Sequence, residues 1–235
     1  MSWLRSLLFN LAFFGWTTLA CVVALPALLL PRGVLVWAGR IWARGIVSLL
    51  AAIVGLRYEL RGEGLRPAGP AIFAFKHQSA LDTLLLPLLL RDPAIVLKRE
   101  LLFLPLFGWY LAKTRQIAVD RAGGAAALKR LLRQAERALA QGRPLAIFPE
   151  GTRVAPGQHR PYHPGVAALY GQLALPVVPV ALNSGLFWPR RSFLKRPGLV
   201  TVELLPPIAP GLSRKAFLAE LERRTEGACA RLLRR

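Results

Sequence analysis

The chain has 235 residues, enough for one catalytic-size domain with a short additional unit. Hydrophobic residues make up 54% of it and the mean hydropathy is +0.41, which excludes a disordered chain and is high for a water-soluble protein. Its 32 lysines and arginines outnumber 12 acidic residues, and the net charge of +20 indicates an anionic partner or surface. Because basic nucleic-acid binders are usually polar, the high hydropathy favours an anionic membrane over nucleic acid. Two cysteines, Cys21 and Cys229, exclude a disulfide framework.

A long uncharged segment lies near the N-terminus, between Arg5 and Arg32. It covers 26 residues, 6–31, and a helix of that length crosses roughly 30 Å of hydrocarbon. A cleaved signal peptide is the alternative interpretation. However, no clear small-x-small cleavage site follows the segment, and the apolar run exceeds a normal signal-peptide core. We therefore predict an uncleaved membrane anchor.

The next segment, 34–56, is apolar but carries Arg40 and Arg44 on one face of a predicted helix. Only 12 uncharged residues follow Arg44, which is too few to span a bilayer, so we predict an amphipathic helix at the membrane interface. Arg32, Arg40 and Arg44 after the first helix outnumber Arg5 before it. This distribution predicts that the body of the protein lies on the cytoplasmic side of the cytoplasmic (inner) membrane.

Short apolar runs alternate with helical segments in the rest of the chain. Strands are predicted at 71–75, 94–97, 116–119, 145–148, 176–182 and 199–204, and helices at 79–90, 124–141 and from residue 213 onwards. This alternation predicts an α/β fold, with a mixed or mostly parallel sheet flanked by helices and an N-terminal two-helix membrane-anchoring unit. We predict one boundary, between a membrane-associated helical unit at 1–56 and a second domain at 57–235.

The first candidate site follows the predicted strand at 71–75. His77 lies five residues before Asp82, and Ser79-Ala-Leu-Asp82 has the pattern of a capping box with Ser79 as the N-cap. If His77 precedes the helix and Asp82 lies in its first turn, the carboxylate can set the tautomer of a general base. The alternative is purely structural, with Asp82 complementing the helix N-terminus and His77 ending a strand.

A second candidate site, Phe148-Pro-Glu-Gly-Thr-Arg153, follows the predicted strand at 145–148. Open α/β sheets bind their ligands at the carboxyl ends of the strands. Gly151 allows a ligand to approach the backbone closely, and Arg153 can hold a phosphate with two hydrogen bonds. The alternative is a plain turn carrying a surface Glu–Arg pair.

Five blocks between about residues 70 and 180 together resemble the glycerolipid acyltransferase family. They are HQSALD at 77–82, VLKREL with PLFGW at 96–109, IAVDR at 117–121, FPEGTR at 148–153 and VVPV at 177–180. The chain looks like the bacterial 1-acyl-sn-glycerol-3-phosphate acyltransferases of the PlsC type within that family. It departs from the family pattern near Arg115 and Gln116, where a glycine usually precedes the IAVDR block.

The resemblance implies acyl transfer from acyl-CoA or acyl carrier protein to the sn-2 hydroxyl of lysophosphatidic acid, giving phosphatidic acid for phospholipid biosynthesis. It implies that His77 is the base on this hydroxyl, that Asp82 orients His77, and that 57–235 is the catalytic domain. It also implies an N-terminal two-helix unit that dips into one leaflet without necessarily crossing it. The substrate-binding residues that it implies are Lys98, Arg121, Glu150, Gly151, Thr152 and Arg153, with Arg153 on the acceptor phosphate.

No covalent acyl-enzyme is implied, and the sequence has no G-x-S-x-G nucleophile motif. Because a thioester is already activated, we expect no metal or other cofactor beyond the acyl donor. Backbone N–H groups near Gly151 are hypothetical donors to the oxyanion. His159 and His163 have the spacing of a metal-binding pair, but the prolines around them forbid a regular helix, so no metal site is predicted.

The expected partners are lysophosphatidic acid, the acyl donor and anionic membrane lipid, without nucleic acid. The segment 187–196 interleaves aromatic and basic residues and is predicted to lie against anionic headgroups, with Arg191, Lys195 and Arg196 as candidates to attract CoA phosphates. Two alternatives stay open. The acceptor is another lysolipid, such as a lyso-ornithine lipid, or the chain is a non-enzymatic basic protein that binds lipid or nucleic acid at the membrane.

Overall fold

The computed structural model, which describes residues 2–120 and 123–234, has helices on both faces of one seven-stranded sheet. The strands are β1 (Leu56–Arg61), β2 (Ile72–Phe75), β3 (Ala94–Lys98), β4 (Ile117–Val119), β5 (Leu145–Ile147), β6 (Val177–Leu182) and β7 (Gly198–Leu204). The helices are α1 (Ser2–Val23), α2 (Arg32–Leu49), α3 (Ala80–Leu89), α4 (Phe107–Lys113), α5 (Gly124–Leu139), α6 (Pro164–Leu173) and α7 (Arg214–Leu233). This three-layer arrangement confirms the predicted fold class.

Most of the sheet is parallel. The strand order is β1-β7-β6-β2-β5-β3-β4, and each neighbouring pair from β6 to β4 is parallel. Strand β7 runs antiparallel to β6 and parallel to β1, so these two strands are reversed relative to the other five. A parallel sheet is covered on both faces, and accordingly every residue of β2 and β6 is buried.

The side chains of β2 alternate between two hydrophobic cores. Phe73 and Phe75 pack in a cluster with residues of α2 and α3, whereas Ile72 and Ala74 pack with residues of α5, α6 and α7. Because β2 pairs in parallel with β5, with Ala74 opposite Ile147, the segments after these two strands emerge side by side. The two candidate sites of the sequence are these segments.

The long uncharged segment does not form a single helix. Helix α1 ends at Val23, and a 3-10 turn follows at Leu25–Leu28 with Pro26 in its first positions. Because proline lacks an N–H donor, Pro26 interrupts the segment that was predicted to form one anchor. By length and composition α1 is still able to cross a membrane, with 22 residues and a mean hydropathy of 1.7.

The second helix has the predicted length and begins two residues earlier than predicted. Helix α2 continues through a π-type turn to Val54, and Gly55 ends it with a φ of +79°. The continuous helix has 23 residues and a mean hydropathy of 1.4, so it also meets the length criterion for a span. The argument that this segment is too short to span a bilayer counted only the uncharged residues after Arg44, whereas the length criterion applies to the whole helix, including Arg40 and Arg44. Its position at the interface stays a prediction.

Helices α1 and α2 pack closely against each other at Gly45. The indole of Trp16 lies within 2.4 Å of the point where a Cβ at this position would stand, so a larger residue would force the helices apart. The Trp16 Nε1 donates to the carbonyl oxygen of Trp42 at 3.0 Å, and Trp42 Nε1 donates to Thr17 Oγ1 at 3.2 Å. Glycine is therefore required here by contact and not by backbone conformation.

The expected boundary at residue 57 falls at the start of β1, yet apolar side chains from both sides of it share one core. Phe9 of α1 and Ile46 of α2 pack in the same cluster as Phe73 and Val200 of the sheet. The two parts of the chain, 1–56 and 57–235, therefore do not have separate cores. That the first part associates with the membrane and the second carries the site stays a prediction.

Lys195 joins α1 to the loop that precedes β7. This residue is buried, and its Nζ donates to Asn10 of α1 and to the carbonyl oxygen of Phe193. The same Nζ lies 5.5 Å from the ring centre of Phe9 and 5.0 Å from that of Trp188. Lys195 is therefore a structural cation in an aromatic cage, which excludes it as an attractor of CoA phosphates.

The predicted strands and helices of the sheet domain are confirmed, but three elements were missed. Strand β1, at the edge of the sheet, was missed although Arg57, Glu59 and Arg61 alternate with apolar residues, a pattern typical of a half-buried strand. Helices α4 and α6 are short, and each contains glycine. Neither has the long amphipathic period by which α5 was predicted.

Candidate active site

The candidate active site lies at the carboxyl ends of β2 and β5. Strand β2 ends at Phe75, and His77 follows in an extended segment before α3 begins at Ala80. Strand β5 ends at Ile147 and leads into the FPEGTR turn. The Val154 N–H donates to the carbonyl oxygen of His77 at 2.8 Å, which joins the two segments directly. The parallel pairing of two strands thus brings both candidate motifs into one site.

His77 and Asp82 meet as the spacing allowed. The distance between His77 Nδ1 and Asp82 Oδ2 is 3.0 Å, and the Asp82 side chain is fully buried. Because a carboxylate only accepts hydrogen bonds, we assign the proton to Nδ1, which leaves the lone pair on Nε2. The imidazole also stacks on the ring of Phe148, with 4.0 Å between ring centres. This arrangement sets both the tautomer and the orientation of a general base.

Asp82 also has the structural role proposed as the alternative. Its Oδ2 accepts hydrogen bonds from the backbone N–H groups of Gln78, at 2.7 Å, and Ser79, at 2.8 Å. Ser79 is the N-cap of α3, and the predicted capping box is present. The two interpretations are therefore compatible, since one carboxylate caps the helix and orients His77.

Ser184, which the sequence did not indicate, holds the other oxygen of Asp82. Its hydroxyl donates to Asp82 Oδ1, and the side chain is buried in the short turn after β6. The neighbouring Gly185 N–H donates to Gln78 Oε1 at 3.1 Å. The end of β6 therefore completes the support of the dyad. No motif marks this serine, because the contact joins residues 102 positions apart.

Replacing Ser184 with Ala is expected to slow the acyl transfer that the sequence resemblance implies about tenfold, equivalent to roughly 1.4 kcal/mol in the barrier. The variant loses one hydrogen bond to Asp82 but keeps the three on Oδ2, so the KM values of both substrates should stay close to wild type. Steady-state kinetics of Ser184→Ala beside Ser48→Ala, a change of an exposed α2 serine, checks this. Equal activity of the two variants would contradict the supporting role.

A buried ionic network lies directly behind His77. Lys76 is 1% exposed and Glu150 is 0% exposed, and their Nζ and Oε1 atoms are 2.8 Å apart. Lys76 Nζ also lies 2.6 Å from Glu226 Oε1 of α7, which accepts a hydrogen bond from Tyr162 at 3.0 Å. Glu150 Oε2 accepts the backbone N–H of His77 at 3.2 Å. The structure thus places Glu150 behind the base, where it orients the backbone, and not in a substrate pocket.

Burial and ion pairing act against each other in this network. Burial raises the pKa of Glu150, and the Lys76 cation opposes this rise. Burial alone would lower the pKa of Lys76, but the carboxylates of Glu150 and Glu226 outweigh burial and hold this pKa above its ordinary value of 10.5. Burial, together with the nearby carboxylate of Glu226, raises the pKa of the Tyr162 phenol, which therefore acts as a neutral donor at neutral pH. Lys76 stays protonated as the counter-ion of two carboxylates.

His77 opens into a large cavity of about 1020 Å³ between α2, α3 and the parallel sheet. Much of its wall is apolar, formed by residues such as Leu84, Val96, Leu128 and Phe148. Its basic lining residues are Arg40, Lys98, Arg153, Arg190 and Arg191. Asp92 and Asp120 also line the cavity, so its basic residues outnumber its carboxylates. A mainly apolar cavity with this excess of positive charge and a histidine in its wall suits an amphiphile that carries an anionic group.

The cavity contains four of the predicted substrate-binding residues. Lys98, Gly151, Thr152 and Arg153 all line it together with His77. Arg121, also predicted, lies outside the described residues. Burial is the main cause that lowers the pKa of Arg153, with Asp82 opposing this effect and Arg190 adding to it.

Gly151 has a φ of +65°, in the left-handed region that favours glycine, so the tight turn of the FPEGTR segment requires this residue. Its N–H donates to the carbonyl oxygen of Phe148 at 2.9 Å. Because of this bond the Gly151 N–H is not available to an oxyanion. The hypothesis that backbone N–H groups near Gly151 stabilise the oxyanion is therefore limited to other N–H groups of the turn.

His159 and His163 do not form a pair. His159 contacts Glu222 of α7, whereas His163 precedes α6 and lines the cavity. Within residues 2–120 and 123–234 no group of three or more His, Cys, Asp or Glu side chains could hold a metal ion.

This fold and site define an acyltransferase. The family model described as Acyltransferase matches residues 57–183, and the chain belongs to this family. It is 39% identical over 223 residues to the 1-acyl-sn-glycerol-3-phosphate acyltransferase of Pseudomonas aeruginosa, which covers 94% of this chain and 85% of the relative. The enzyme of the same name from Limnanthes alba is 30% identical over 172 residues, covering 72% of this chain and 61% of the relative.

A solved structure shows the same fold. The crystal structure of the 1-acyl-sn-glycerophosphate (LPA) acyltransferase PlsC from Thermotoga maritima superposes with a TM-score of 0.81. The match covers 100% of this chain and 99% of the other at 21% sequence identity. The sheet and the two N-terminal helices therefore form one architecture in both proteins.

Proposed function

We propose that this chain is a 1-acyl-sn-glycerol-3-phosphate acyltransferase. It transfers an acyl group from a thioester donor to the sn-2 hydroxyl of lysophosphatidic acid and forms phosphatidic acid. The observation that carries the proposal is the His77–Asp82 dyad, in which a histidine with a free Nε2 lines a large apolar cavity with a basic rim. Relatives with this printed name, over most of the length of the chain, support the choice of acceptor.

In this reaction the Nε2 of His77 removes the proton of the acceptor hydroxyl as its oxygen attacks the thioester carbonyl carbon. Asp82 stabilises the imidazolium that forms. When the tetrahedral intermediate collapses, the carbon–sulfur bond breaks, and the leaving thiolate takes the proton from His77. Because the thioester is already activated, the transfer requires positioning, deprotonation and oxyanion stabilisation, and the proposal includes no further cofactor.

The basic residues of the cavity provide a site for the acceptor phosphate. Arg153 and Lys98 line the cavity at its polar side, and a guanidinium binds a phosphate with two hydrogen bonds. The apolar wall accommodates acyl chains. Lys98 is half-exposed and lies 3.5 Å from Glu100, so it attracts the phosphate mainly through its charge.

We propose further that residues 1–56 hold the enzyme at the cytoplasmic face of the inner membrane. Helix α1 exposes a set of large apolar side chains, namely Trp3, Leu4, Leu8, Leu11, Phe14, Leu19, Val22 and Val23. Arg40 and Arg44 favour the cytoplasmic side and anionic lipid, whereas the Arg32 side chain is engaged by Asp92. Arg40 also lines the cavity, so the membrane-associated unit borders the site of reaction.

The proposal is tested by thiol release from an acyl-CoA or an acyl carrier protein thioester by membranes that contain the protein. Release is expected only with lysophosphatidic acid present, together with formation of phosphatidic acid, and is expected to be lost in His77→Ala. If release requires another lysolipid, such as a lyso-ornithine lipid, the proposed acyl transfer stands and the proposed acceptor is wrong. If no acceptor gives release with either donor, the proposed enzymatic activity is contradicted and a binding protein is favoured.

A further inference from the structure

A second concavity, of about 490 Å³, adjoins the reaction cavity. Arg153 and Arg190 line both spaces and separate them. The remaining lining residues of the second space are Val154, Ala155, Gln158, His159 and Arg160. The Arg190 guanidinium donates to the carbonyl oxygen of Arg153 at 3.4 Å, which holds Arg190 at the border. The concavity is thus a continuation of the FPEGTR turn on its solvent side.

The second concavity is strongly positive. Three guanidinium groups line it, and no carboxylate belongs to its lining among the described residues. Glu222 of α7 contacts His159, so one acidic residue approaches the rim from outside. The proximity of Arg190 contributes to lowering the pKa of Arg153, which means that each cation raises the cost of keeping the other charged. A bound polyanion would relieve this repulsion.

We propose that this concavity binds the phosphate groups of the 3′-phospho-ADP part of an acyl-CoA donor. The inference rests on the proposed function and extends it to the identity of the donor. The acyl chain of such a donor enters the apolar cavity, and its thioester lies beside His77. Its nucleotide stays at the surface, on the other side of Arg153 and Arg190.

The number of anionic groups in each donor favours a nucleotide over the arm of a carrier protein. The diphosphate and the 3′-phosphate of CoA provide several anionic groups for Arg160 and Arg190, whereas the phosphopantetheine arm of a carrier protein has a single phosphodiester. The sequence suggested Arg191, Lys195 and Arg196 for this role, but the structure buries Lys195 in its aromatic cage and brings Arg160 beside Arg190 instead.

Arg160 provides the test because it is exposed and lines only the second concavity. In Arg160→Glu we expect the KM of acyl-CoA to rise about tenfold or more, while the KM of lysophosphatidic acid stays within about twofold. With acyl-phosphopantetheine, which lacks the nucleotide, variant and wild type should be equal. The matched control is Arg133→Glu, the same charge reversal at an exposed arginine of α5 that lines neither space, and it should resemble wild type.

Binding is measured independently of turnover by titrating the detergent-solubilised protein with 3′,5′-ADP. Wild type and Arg133→Glu should bind it, and Arg160→Glu should bind it at least about tenfold more weakly. A rise in the KM of lysophosphatidic acid, an equal loss with both donors, or no change in Arg160→Glu would each overturn the proposal. A wild-type enzyme that accepts only carrier-protein thioesters would overturn it too, while leaving the proposed acyl transfer intact.

Discussion

Replacing His77 with Ala is expected to lower the rate of acyl transfer by about 10²–10⁴-fold, the usual contribution of a general base. The side chain lies at the border of the reaction cavity and takes no part in either hydrophobic core, so the fold should be retained. The measurement is kcat for acceptor-dependent thiol release, with circular dichroism and thermal unfolding of the same preparation. A variant with more than about a third of wild-type activity would contradict the assignment of the base.

Asp82→Asn is the companion variant for this prediction. The amide oxygen can replace Oδ2 and keep the hydrogen bonds from Gln78 and Ser79, and the Ser184 hydroxyl can rotate to accept from the amide nitrogen. Helix capping is then retained, while the negative charge beside His77 is lost. We expect a loss of about ten- to hundredfold in kcat with little change in thermal stability. Unfolding in parallel with the loss of activity would mean that the carboxylate is mainly structural.

Replacing Lys76 with Met is expected to destabilise the protein by about 3–5 kcal/mol, because it leaves Glu150 charged, buried and without its cation. The free energy of unfolding is measured in detergent by denaturant titration, with tryptophan fluorescence as the signal. Lys215→Met, a change of an exposed lysine of α7, is the matched control and should stay within about 0.5 kcal/mol of wild type.

The double variant Lys76→Met/Glu150→Gln distinguishes two causes of destabilisation, a buried carboxylate without its cation and poor packing of the new methionine. It removes the orphaned charge and retains an amide oxygen for the His77 N–H, so part of the lost stability should return. If the double variant is no more stable than the single one, the buried charge is not the cause. A single variant within about 1 kcal/mol of wild type would contradict the network directly.

The pH dependence of this contribution follows from the direction of the pKa shift. The pKa of Lys76 is higher in the folded protein than its ordinary value of 10.5, so its contribution to stability is complete below that value. It is lost only as the pH rises through the higher pKa of the folded state. The part of the wild-type stability that depends on protonation of Lys76 should therefore stay constant from neutrality to pH 10.5 and shrink only above it, which denaturant titration of the wild type across this pH range checks.

Local patterns were sufficient to predict much of the fold and the centre of the site. Short apolar runs predicted the buried strands, and the Ser79–Asp82 capping box predicted where α3 begins. The rule that ligands lie at the carboxyl ends of the strands of open α/β sheets predicted that the segment with Arg153 belongs to a binding site. These features depend on neighbours in the sequence or on the general geometry of a sheet.

The remaining features depend on pairings between distant parts of the chain. Lys76 meets Glu226 across 150 positions, and only the packing of α7 brings them together. Glu150 seemed to belong to the substrate pocket because its neighbours Gly151 and Arg153 do, yet its side chain is buried against Lys76 and does not line the cavity. Lys195 resembled other surface cations, and no local pattern distinguishes it from them.

The packing of α1 determines how this protein can be made water-soluble. Phe9 is part of a core shared with the sheet, and Asn10 is the polar partner of a buried lysine. Deleting the first helix as if it were a removable tail would uncover that core and leave Lys195 without Asn10. A water-soluble variant should instead keep the helix and replace only exposed apolar side chains with polar ones, for example at Leu4, Leu11 and Phe14.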